Sequence, residues 1–203
     1  MSFGYKTEWI AVRERSLDDL VTALSLGDVE PMSWEEGTDR AYGQGVYVGG
    51  PVSGWVLAHG RHLILHGGHA EFTAQLAQLS AALGEVQFFG THRGVDYAAW
   101  AWARDGRVLR AYCMGDGQMY QFHGEVTEIE HTLGVGTAPY PDEPDALDDE
   151  QWAAWWRTHP GEDHVMQVAG AWSINPLDIE NVPHPGLYAP APARSWVDPV
   201  AAR

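Results

Sequence analysis

The chain has 203 residues, a hydrophobic fraction of 45%, ten tryptophans and a single cysteine. This suits one α/β or α+β domain with an aromatic core, and the lone Cys113 excludes an intramolecular disulfide and a four-cysteine zinc site. Twenty-eight acids against twelve bases give a formal net charge of −16, which argues against sequence-independent nucleic-acid binding and against an anionic membrane surface, since both need a basic face.

The single cysteine points to a reducing compartment. The opening "MSFGYKTEWIAVRERS" carries no apolar run of signal-peptide length, and no stretch approaches the length of a membrane span. The expected location is the cytoplasm.

In chain order, "TEWIAVRE" (Thr7–Glu14) reads as a strand through Trp9, Ile10 and Val12. "SLDDLVTALSLG" reads as a helix: Ser16 is the N-cap, Asp19 completes a capping box, Leu17, Leu20 and Leu24 form the buried stripe, and Gly27 is the stop. "DVEPMSWEEGTDRAYGQ" reads as an acidic loop. "GVYV" and "GWVLAHG" read as paired strands joined by the turn residues of "GGPVSG". After "HGRHLILHGGH", whose Gly-bounded "HLILH" reads as a strand, "HAEFTAQLAQLSAALG" is the clearest helix. Its stripe is Phe72, Leu76, Leu79 and Leu83, Gly84 ends it, and His69 is a candidate cap. "EVQFFG" is a strand. "VDYAAWAWARDGRVLRAYCMG" is a hairpin turning at Asp105-Gly106. Ala98, Trp100 and Trp102 are expected on one face of its first arm. On the second arm Val108, Arg110 and Tyr112 should alternate with Leu109, Ala111 and Cys113. "GQMYQFHG" is one more strand.

The predicted fold is α+β: a mainly antiparallel sheet with packed helices, then a C-terminal helical segment and a Pro-rich tail. Residues 1–135 form the core domain in this reading. Residues 136–150 form an exposed acidic linker with three prolines. Residues 151–175 form two short Trp-rich helices packing on the core, with Trp152, Trp155 and Trp156 on one side of the first. The stripe of the second is Val165, Val168, Ala169 and Trp172, and Pro176 stops it. Residues 176–203 hold six of the twelve prolines and are either disordered or wrapped along the domain in extended form, Trp196 favouring wrapping.

Four of ten histidines fall between His59 and His69. Their spacing of three, four and three would line up on a helix, but Gly60, Gly67 and Gly68 interrupt it. In a strand, His62 and His66 share a face roughly 13 Å apart, too far to chelate one ion unaided. A metalloprotein using the His59–His69 run, with His62 and His66 as candidate ligands, is therefore the second alternative, and no cofactor is expected.

"FFGTHRGVDY" is the better candidate for chemistry. His92 could act as a general base and Arg93 could hold an anion, with Asp96 close behind. The alternative is a plain turn in which Arg93 pairs with Asp96. Cys113 reads as a small core residue, and Glu162 and Asp163 as acids suited to a helix start. No phosphate loop, zinc-protease, nucleophile-elbow or EF-hand pattern occurs.

"WIAVRERSLDDLVTALSLG", "GWVLAHG" and "FGTHRGVDYAAWAWARDGRVLRAY" together resemble a group of small, largely uncharacterised bacterial proteins common in high-GC genomes. The resemblance spans Trp9 to Leu133, implies an immunity or accessory role, and names no catalytic residue. With the charge, it leads to the expectation of a non-catalytic cytosolic binding protein of immunity or antitoxin type. The expected partner is a basic protein, met through acids such as Asp142, Glu143, Asp145, Asp148 and Asp149 or those of the Glu30–Asp39 loop. An enzyme or small-ligand binder with a site near His92 and Arg93 is the alternative.

Overall fold

The computed structural model describes residues 3, 5–60, 63, 65–179, 182 and 184–190. Among the described residues nine strands form one sheet: β1 (Thr7–Arg13), β2 (Glu30–Met32), β3 (Val46–Val52), β4 (Trp55–His59), β5 (Glu85–His92), β6 (Tyr97–Arg104), β7 (Arg107–Gly115), β8 (Gln118–Gly124) and β9 (Gly186–Ala189). Their order is β2-β9-β3-β4-β1-β5-β6-β7-β8, and every neighbouring pair is antiparallel. The fold is α+β, as the sequence predicts.

Alternation along the strands divides the core between two faces. Ile10, Val12, Val86, Phe88, Ala99 and Ala101 pack under α1 (Leu17–Ala23) and α3 (Phe72–Leu83), which contribute Leu20, Phe72, Leu76, Leu79 and Leu83. Trp9, Ala11, Phe89, Ala98, Trp100 and Tyr112 pack on the other face. There they meet Trp155 of α5 (Asp149–Trp156) and Val165, Met166, Val168 and Ala169 of α6 (Glu162–Trp172). Ser16 caps α1 with the expected Asp19 box, and Asp105 and Gly106 hold φ of 49° and 81°, as a two-residue hairpin turn requires.

Several local expectations are corrected. The supposed loop after Asp28 contains β2 and a helix, α2 (Trp34–Gly43), capped by the Ser33 side chain, which accepts from the Glu36 amide. Its buried face is Gly37, Thr38 and Ala41; a Cβ at Gly37 would overlap the Tyr47 ring. A contact made of small residues leaves no large-apolar periodicity to read. A second unforeseen helix, α4 (Glu128–Leu133), follows β8. α1 ends at Ala23, with Leu24 as its C-cap, before Gly27.

Leu63, Leu65 and His66 are not in a strand, although both leucines bury in the core. The Leu63 amide donates to the Gly60 carbonyl. His62 and Ile64 lie outside the described residues. α3 starts after Glu71, without a side-chain cap from His69. A bulge opposite Trp102 and Ala103 pairs Trp102 with Arg110 but Ala103 with Val108, so Val108 packs with Ala111 and Cys113 and not with Arg110 and Tyr112. Of the Pro-rich tail, β9 is extended and sits between β2 and β3; Trp196 lies outside the described residues. Among the described residues no helix is long and apolar enough to cross a membrane.

Candidate functional site

α5 begins with a capping box: the Gln151 amide donates to the Asp148 carboxylate at 2.8 Å and the Asp148 amide to the Gln151 side chain at 2.9 Å. Asp149 and Glu150 fill its first turn, where the helix dipole favours acids. The helix is anchored by Trp155, which is buried and donates its indole N–H to the Pro139 carbonyl at 2.9 Å. Around this anchor the rings of Tyr140, Trp152 and Trp156 stand edge-on, with centroids 5.4, 5.6 and 5.0 Å from that of Trp155. Trp156 keeps 44% of its surface exposed and Tyr140 keeps 38%. Asp142, Glu143, Asp145, Asp148, Asp149 and Glu150 are all exposed beside them. The three tryptophans thus divide: Trp155 points inward, Trp156 outward.

The stretch from Gly136 to Glu150 is held at its start. The Gly136 carbonyl accepts from Arg110 at 2.8 Å, and the Gly136 amide donates to the Thr158 carbonyl. Arg110 and Glu130 form a fully buried ion pair. The Glu130 carboxylate also accepts from the Trp100 indole at 2.8 Å and from the Thr127 amide and hydroxyl at 2.8 and 2.7 Å. Each carboxylate oxygen is engaged, which makes this a structural network.

The surface electrostatics follow from how the bases are used. Arg13 and Arg104 pair with Glu85, Arg40 with Glu30, Arg93 with Glu162 and Arg110 with Glu130. Five of the bases are therefore neutralised inside the molecule, while the acids of 142–150 have no such partner in the ion pairs of the described residues.

A second cluster sits at one end of the sheet. Gly90 on β5 has no side chain, so the Tyr97 ring can lie across it; a Cβ there would meet Tyr97 and Glu8. Tyr97 donates to the Glu8 carboxyl at 2.6 Å and accepts from the Gly67 amide at 3.2 Å. His66 brings Nε2 to 3.9 Å from the same Glu8 oxygen, and its Nδ1 accepts from the Gly68 amide. The proton of a neutral His66 is therefore on Nε2, facing Glu8. His69 stacks on His66 at 4.8 Å. Burial pushes the Glu8 carboxyl up to about 8 and the Cys113 thiol well above its usual value. Cys113 is accordingly an inert core residue.

The other sequence candidates do not gather into one group. His92 ends β5, and its Nδ1 accepts from the Gly94 amide. Arg93 turns to Glu162 at 2.9 Å, not to Asp96, and lies over the Tyr5 ring. Asp96 is exposed in the left-handed region with φ of 45°. His59 is buried on β4 beside Thr7, and burial pulls it down to about 3. Among the described residues no three His, Cys, Asp or Glu side chains form a group that could hold a metal; His62 lies outside them. Sequence reasoning missed Glu8, Tyr97 and Glu130, since their partners are distant in the chain. Only Glu130 left a local signal, the Thr-x-x-Glu pattern starting at Thr127.

Compared with known proteins, the chain matches no family model, no curated protein and no solved structure.

Proposed function

We propose that this chain is a non-catalytic binding protein that docks a basic protein partner through an acidic surface, in the manner of an immunity protein. One observation carries the reading: exposed Trp156 and Tyr140 stand on a buried Trp155 anchor, rimmed by the exposed acids of 142–150, which make no ion pair among the described residues. Exposed aromatics are the side chains that most often dominate protein interfaces. A rim of one sign steers a partner of the other. A phosphate backbone would be repelled by the same rim.

The test is capture of partners by the tagged full chain, followed by association kinetics at low and near-physiological salt. A basic protein is expected, with an association rate that drops roughly tenfold as the field is screened. Neutralising Asp142, Glu143, Asp145, Asp149 and Glu150 to their amides should flatten that dependence. Asp148 is spared because it caps α5. Recovery of acidic partners alone, or of nucleic acid bound tightly at low salt, would overturn the proposal.

A further inference from the structure

The two edges of the sheet are built differently. β2 is three residues long and carries Glu30 and Pro31, both of which discourage pairing with another strand. β8 closes the other edge with seven residues, Gln118–Gly124. In a chain of net charge −16 it contains no Asp, Glu, Lys or Pro, so it lacks charge and proline guards, and its one irregularity is a bulge at Tyr120. β8 pairs with β7 on one side, and among the described residues no strand lies on the other.

A cleft of about 720 Å³ runs beside this edge on the α3 side, lined by Thr73, Arg107, Tyr120, Gln121 and His123 among others. Arg107 is exposed, and among the described residues it makes no ion pair. His123 is exposed beside it and uses Nε2 on the Val108 carbonyl. A second copy of this chain is a poor occupant. Antiparallel pairing of β8 with itself about Gln121 brings Asp116 of one copy to the Glu125 end of the other, between two strongly acidic molecules.

We infer that β8 is a strand-addition site for an extended peptide segment of another protein, carrying an acidic side chain that reaches Arg107 and His123 in the cleft. Main-chain hydrogen bonds to the β8 edge would give affinity, and the alternate side chains facing α3 would give selection, as in other sheet-edge recognition. This inference does not depend on the acidic face around α5.

The test uses the full chain, isotope-labelled for amide NMR, and two capped hexapeptides of alternating threonine and valine. One has glutamate at the third position and the other lysine. The glutamate peptide should shift amides of Gln118–Gly124 and bind about fivefold more tightly than the lysine peptide, a typical size for a rim ion pair. Arg107→Ala should remove the preference and Arg107→Glu should invert it; the residue is exposed, so neither change threatens the fold. No shift along β8 with either peptide, or an equal response to both, would overturn the inference. So would a concentration-dependent doubling of mass that vanishes on Tyr120→Lys, since the edge would then be taken by a second copy.

Discussion

Tyr97 crosses β5 at Gly90 to donate to the Glu8 carboxyl on β1, joining two residues 89 positions apart through the gap left by one glycine. That placement gives the protein a distinctive pH profile. Burial pushes Glu8 from 4.5 up to about 8, so the native state keeps a proton that the unfolded chain has lost. Its contribution is complete below pH 4.5 and is lost as pH rises to about 8. His59 works in the opposite sense: burial pulls it from 6.5 to about 3, so its contribution is present above 6.5 and lost as pH falls to about 3. Between 4.5 and 6.5 the two slopes oppose each other.

Stability should therefore be flat near pH 5 to 6, fall on the acid side and fall again between 6.5 and 8. The alkaline slope is bounded by about 1.4 kcal/mol per pH unit for one proton. It should fall short of that bound because the Glu8 side chain keeps 16% of its surface exposed. Urea midpoints at pH 6.5 and 8 measure it, and Glu8→Gln should abolish the decline. An identical decline in that variant would assign it to another group.

Removing one partner of the Arg110–Glu130 pair strands the other in the core. Arg110→Met leaves a buried carboxylate with only the Trp100 and Thr127 donors and should cost about 3–5 kcal/mol. The Gly136 carbonyl also loses its donor. Denaturant unfolding at pH 7 reads this directly; a loss under 1 kcal/mol, on the scale of an exposed pair, would contradict the burial assigned here.

Adjacent tryptophans on α5 should behave oppositely. Trp155→Ala removes a buried indole and its bond to Pro139 and should destabilise by about 3–5 kcal/mol. Trp156→Ala should cost clearly less, about 1–2 kcal/mol, because 44% of its surface is already exposed, while weakening capture of the partner. Thermal melts and capture assays run in parallel would separate the two roles.

Asp105→Pro should be far more damaging than Asp142→Pro. Asp105 holds φ of 49° in the β6–β7 turn, and proline fixes φ near −65°. Asp142 lies exposed outside helix and strand. Equal melting temperatures for the two variants would count against this account of the hairpin.

Elements with their own local signals were legible in the chain. The Ser16 box, the apolar stripe of α3, the Asp105-Gly106 turn and the alternation of Ala98 and Trp100 on β6 are contacts between near neighbours. They recur with periods of 3.6 and 2 that composition cannot hide. The acids around α5 were legible too, because charge and proline content need no partner to be read. What the tertiary structure decided lies in contacts between distant positions. α2 buries glycine, threonine and alanine against Tyr47, so its helical face had no apolar stripe. β9 reaches its place between β2 and β3 only through pairing with residues some 140 positions earlier. Glu8, Tyr97 and His66 stand at unremarkable places in the chain. The order of strands brings them together, and burial, a property of the folded whole, sets their protonation.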